Sequence, residues 1–68
     1  MNVNEFKSEM AKHAETGRLL SLAMGISEQT FSGKMNGRDG AEWNATELAF
    51  FKKRWKLNAD RFEAIFFA

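Results

Sequence analysis

The chain lacks cysteine and proline altogether and has a single histidine in 68 residues. Without cysteine there are no disulfides and no thiolate metal sites, which excludes a stapled secreted mini-protein. With His13 alone, a zinc site would need carboxylates, and no ligand spacing of that kind is present. No run approaches the roughly 20 apolar residues of a membrane span. Residues 1–12 mix charges of both signs and have no signal-peptide core. Charge of one sign is scarce too: ten Lys and Arg against nine Asp and Glu leave +1. Strong basicity, the usual mark of a nucleic-acid binder, is therefore missing, and the placement of the charges has to carry any such reading. No nucleophile–base pair and no phosphate-cradling loop is visible, and His13 reads as a helix-end surface residue, so an enzyme is not expected. No cofactor, metal or small-molecule ligand is expected either.

What is present suits one small helical domain spanning residues 1–68. Hydrophobic residues make up 44% of the chain and aromatics 13%, too many for disorder. A core of this size is marginal, so a partner that adds stability is physically plausible. The spacing predicts five helices, at about 4–13, 17–24, 28–36, 45–55 and 59–66, and no strand. Val3, Phe6 and Met10 form one stripe, with Asn2 or Asn4 as cap. Thr16 caps the second helix, whose apolar face reads as Leu19, Leu20, Ala23 and Met24. Gly25 ends it with a left-handed residue, and Ile26 lies in the turn. Ser27 caps the third helix, which has only Phe31 and Met35 for burial and ends at Asn36-Gly37. Arg38 to Trp43 reads as a loop. Asn44 with Glu47 forms a capping box before a stripe of Leu48, Phe51 and Trp55. Asn58 caps a fifth helix that turns Phe62, Ile65 and Phe66 inward.

Residues 16–37, TGRLLSLAMGISEQTFSGKMNG, carry the functional signal. Two helices joined by a short turn containing glycine are the pattern of a helix-turn-helix. Ser21 is small enough for close helix crossing, Gly25 allows the sharp turn, Ile26 plugs the angle, and Phe31 and Met35 fasten the third helix while its other face stays free. The stretch MGISEQTFSGKMNG, Met24 to Gly37, resembles the Cro/CI-type phage repressors of the Xre class. The resemblance implies a compact five-helix lambda repressor-like domain in a bacterial cytoplasm. It implies a phage or prophage transcriptional regulator that binds a pseudo-palindromic operator as a dimer. The short length is closer to Cro-type proteins than to CI-type repressors. Two positions depart from the family: Gly17 stands where Gln often contacts phosphate, and Ser21 where Ala is usual.

On DNA, the third helix would enter the major groove with its N-terminal residues toward base edges. Glu28, Gln29, Thr30, Ser32 and Gly33 are the candidate base-contacting residues, with Gln29 suited to adenine and Glu28 to cytosine. Glu28 also serves as a first-turn carboxylate favoured by the helix dipole. Thr16, Gly17, Arg18, Lys34, Asn36 and Arg38 are the candidate backbone contacts. Residues 16–38 carry three basic side chains and one acidic, +2, so the rest of the chain carries −1. The denser basic run, Lys52, Lys53, Arg54 and Lys56 around Trp55, reads better as cations at a helix C-terminus than as a second DNA patch. Adjacent phenylalanines cannot all face inward, so Phe50, Phe66 and Phe67, with Trp43, are candidates for an exposed dimer patch. The alternative reading is a protein–protein module on the same fold that uses exposed aromatics.

Overall fold

Five α-helices and no strand make up residues 1–67, which the computed structural model describes. They are α1 (Val3–Lys12), α2 (Gly17–Met24), α3 (Glu28–Asn36), α4 (Ala45–Arg54) and α5 (Ala59–Phe66). All lie within a residue of the expected bounds. Each starts at a side-chain cap: Asn2, Thr16, Ser27, Asn44 and Asn58 all accept from the backbone N–H three residues on. Each cap satisfies one of the amides that a first turn leaves without a partner. At Asn44 the box is complete, since its own N–H donates back to Glu47 Oε1 at 2.9 Å.

The helix ends are equally local in origin. Gly25, at φ 73, donates to Leu22 O, and Ile26 N–H reaches Ser21 O at 3.0 Å. This is the two-bond motif that closes a helix through a left-handed residue. The same two bonds follow α1 at Ala14 (φ 53) and α4 at Lys56 (φ 50), where no glycine is present. The segment after α3, read from sequence as plain loop, contains a single 3₁₀ turn over Arg38–Gly40.

The core is built around Phe6, which is fully buried. Its ring lies within 6.1 Å of Phe31, Trp43, Phe51, Trp55 and Phe66, centroid to centroid. One α1 side chain thus meets rings from α3, the following loop, α4, the end of α4, and α5. Edge-on and offset contacts of this kind suit the ring quadrupoles. Trp43 belongs to this core and not to an exposed patch; its Nε1–H donates to Met1 Sδ.

A charge network seals α1 to α5. Glu9 is buried at 1% exposure. Its Oε1 accepts from Arg61 Nε at 2.7 Å, and its Oε2 lies 3.2 Å from His13 Nε2. Arg61 also donates to Glu5 at 2.7 Å. Burial pushes the Glu9 carboxyl up, but Arg61, Lys12 and His13 together outweigh it and hold the group below its ordinary value.

Candidate nucleic-acid interface

The site is built from α2, its turn and α3. The inner face of α2 is Gly17, Leu20, Ser21 and Met24, at spacings of three and four. A Cβ at Gly17 would stand 3.5 Å from the Phe31 ring, so the start of α2 lies directly against α3's main anchor. Ser21 is buried, and its hydroxyl donates to Arg18 O at 2.9 Å, which removes the cost of an unpaired polar group. This face corrects the sequence expectation. Leu19 and Ala23 point outward, Leu19 at 51% exposure, and Leu22 is 70% exposed. Ser21, and not Leu19 or Ala23, shares the interior face with Leu20.

α3 is anchored by Phe31, which is buried, and Met35, which packs against the core. Glu28, Gln29 and Thr30 are exposed, and Ser32 and Gly33 half-buried. Five of the candidate base-contacting residues therefore share the accessible side of one helix. The Ser27 hydroxyl donates to Thr30 Oγ1 at 2.9 Å. Asn36 turns back along α3 and donates to Ser32 O at 2.9 Å.

The start of α2 is held in place by Glu15. Its two carboxylate oxygens accept from Trp55 Nε1 at 2.6 Å and Arg54 Nε at 2.7 Å. The Arg54 hydrogen bond, aided by the Trp55 N–H and opposed by burial, keeps the Glu15 carboxyl below its ordinary range. Thr16, Gly17 and Arg18 follow directly. The Thr16 side chain is occupied in capping, accepting from Leu19 N–H at 3.2 Å.

Lys34 is where the backbone-contact set needs correction. Its ammonium donates to both Glu47 oxygens at 2.8 Å and ties α3 to α4, so it is not a free cation on this face. Arg18 and Arg38 are exposed and make no ion pair among the described residues. With Lys34 neutralised and Asp39 next to Arg38, the field of the face is close to neutral.

Beside α3 lies a shallow depression of about 310 Å³, lined by Gln29, Thr30, Gly33, Lys34, Arg38, Asp39 and Ala41. Asp39 and Ala41 were not singled out from sequence; they come from the turn after α3, whose path has no periodic signal. A second concavity of about 470 Å³ has Met35, Trp43, Leu48 and Phe66 in its lining, with Met1 and Phe67 beside them.

The expected dimer patch shrinks. Phe66 is buried, at 7% exposure, and Phe50 is half-buried with the Arg54 guanidinium 5.5 Å above its ring. Only Phe67 stays open, at 65%. Two members of the basic run are engaged locally: Lys52 sits over the Phe62 ring and Arg54 on Glu15. Trp55 is core, with His13 stacked on it. Among the described residues there is no cluster of potential metal ligands, and no helix is long and apolar enough to cross a membrane.

No family model matches the chain, and no curated protein or solved structure is significantly similar to it.

Proposed function

We propose that the chain is a sequence-specific double-stranded DNA-binding module that lays α3 in the major groove, in the manner of a Cro-type transcriptional regulator. The observation that carries this reading is the division of α3 into two sides. One is locked to the core by Phe31. The other presents Glu28, Gln29, Thr30, Ser32 and Gly33 together, all small or polar, on a helix crossed by α2 through a tight glycine turn. A helix so presented matches the width of the major groove and offers donors and acceptors to base edges. Arg18 and Arg38 supply phosphate contacts at the two ends of the motif.

The test is fluorescence anisotropy with a random-sequence duplex at low and moderate salt, comparing the parent chain with Gln29→Ala/Arg38→Ala. Lys34 is left alone because its loss would disturb the α3–α4 contact. Salt-sensitive binding that weakens in the double variant supports the reading. Absence of binding at low salt overturns it.

One observation favours a second reading, a protein–protein module. Leu19 and Leu22 stand exposed on the outer side of α2, an apolar surface that DNA does not need. Leu19→Ser/Leu22→Ser leaves DNA binding intact on the first reading and abolishes partner capture on the second.

A further inference from the structure

We propose that Asn36 is a site of spontaneous covalent modification, deamidation through a ring closed by the Gly37 nitrogen, and that the last turn of α3 sets its rate. The inference stands apart from the DNA-binding reading and needs no partner.

The first observation is chemical. Of the five asparagines, only Asn36 is followed by glycine. With no side chain in the way, the Gly37 backbone nitrogen can approach the Asn36 carboxamide closely. Once that nitrogen has lost its proton to solvent, it attacks Asn36 Cγ. A bond forms from nitrogen to Cγ, the bond from Cγ to Nδ2 breaks, and the amide group leaves with a proton from water as ammonia. Water then opens the five-membered imide at either carbonyl. One opening gives aspartate; the other gives isoaspartate, whose backbone runs through Cγ. Nothing is oxidised or reduced, and water is the only co-reactant. Asn36 is exposed, so water reaches it.

The second observation is that the fold holds both reacting groups out of place. Asn36 Nδ2 donates to Ser32 O at 2.9 Å and lies 3.3 Å from Ser32 Oγ, so the carboxamide is turned back along α3. The Gly37 N–H is engaged as well, by Gly33 O and by Lys34 O, the latter at 3.4 Å. Attack therefore waits for this turn to open. The turn is weakly closed. The 3.4 Å bond is long, Gly33 is a poor helix former, and an added Cβ at Gly33 would meet no atom within 4 Å. The products keep the turn open. A carboxylate at position 36 faces Ser32 O as acceptor to acceptor and stands at the negative end of the helix dipole. Isoaspartate adds a backbone carbon just before the left-handed Gly37, at φ 65. Either product takes residues 16–38 from +2 to +1, three basic side chains against two acidic.

The experiment ages the purified chain at mildly alkaline pH, in buffer and in concentrated guanidinium chloride. Mass spectrometry follows the replacement of NH2 by OH in the tryptic peptide that carries Asn36. Asp39-Gly40 can isomerise through the same kind of ring, but without a change of mass, so it does not enter this readout. Reaction in buffer should be slower than in denaturant by about tenfold or more. Gly33→Ala, which strengthens the helix without touching the reacting pair, should slow it a further two- to fivefold or so in buffer and leave the denatured rate unchanged. Asn36→Gln should gain no mass on the same timescale, because its ring would have six members. The aged parent, and Asn36→Asp, should exchange the amide hydrogens of residues 34–37 faster than the fresh chain. Rates in buffer and denaturant within twofold of each other, or a Gly33→Ala chain that ages in buffer as fast as the parent, would overturn control by α3. A mass gain that maps away from Asn36, or none even in denaturant, would overturn the site itself.

Discussion

Lys56 holds a left-handed conformation at φ 50 so that α4 can close through Lys53 O and Lys52 O. For a residue with a Cβ this costs about 1–2 kcal/mol, and glycine would remove it at some expense in chain entropy. Lys56→Gly is therefore expected to raise stability by about 1 kcal/mol, or roughly 4–8 °C in Tm for a domain of this size. Thermal melting followed by circular dichroism checks it, and an unchanged or lowered Tm would show the strain to be absent. Gly25→Ala should move the other way, because there the left-handed residue is already glycine. Phe6 is the least replaceable side chain: Phe6→Ala should cost about 3–5 kcal/mol. A domain of this length has on the order of 3–10 kcal/mol in total, so the variant should melt far below the parent or not fold.

Between elements, the Lys34–Glu47 pair decides how firmly α3 is held. Both side chains are largely shielded, and the Glu47 carboxylate also completes the α4 capping box. Lys34→Ala should lower stability by about 1 kcal/mol and loosen α3 in hydrogen exchange before it alters any DNA affinity. Unchanged exchange in α3 would mean the pair does not tether it. This contact also marks the limit of what the sequence can convey. Caps at Asn2, Thr16, Ser27, Asn44 and Asn58, and apolar residues three and four apart, are local signals, so the five helices and the turn at Gly25 are legible. Lys34 and Glu47 are thirteen positions apart, and Glu9 and Arg61 are separated by 52. No periodicity links such pairs. Hydropathy could not choose a face for α2 either, because Leu19, Leu20 and Leu22 are alike in hydropathy, and a serine beside Leu20 is buried while Leu19 and Leu22 are exposed. Phe66 shows the same limit: the helical stripe turns it inward while its place beside Phe67 also makes it a candidate for the exposed patch, and only the register of α5 against Phe6 and Phe51 decides between the two.

At the scale of the whole molecule, acid sensitivity follows from Glu9 and Glu15. Both are held below their ordinary values by cationic partners. A carboxylate whose folded value lies below its unfolded value, about 4.3, stabilises fully above that pH. The contribution is lost as pH falls through the folded value. The urea midpoint should therefore be level from about pH 6 to 8 and decline below about pH 4. Glu15→Gln should start lower and decline less; an equal decline would place the acid-labile groups elsewhere. Salt dependence reports the same molecule from outside. On the proposed DNA-binding reading, with Lys34 occupied on Glu47, Arg18 and Arg38 are the two cations left for phosphate, which predicts a slope of log K against log salt near about −2. A slope twice as steep would mean that Lys53 or Lys56 also touches the backbone.

The tie between the first and last helices has a consequence during synthesis. Asn2 N–H donates to Ile65 O at 2.7 Å, and α1's ring and carboxylates find their partners in Phe66 and Arg61. α1 thus waits for α5, which is made some fifty residues later. While the ribosome adds about 5–20 residues each second, α2 and α3 can form early, but Phe6 has no complete niche until α5 has left the exit tunnel. The nascent chain is therefore expected to become protease-resistant in a single late step, after the whole of α5 has emerged, and not helix by helix.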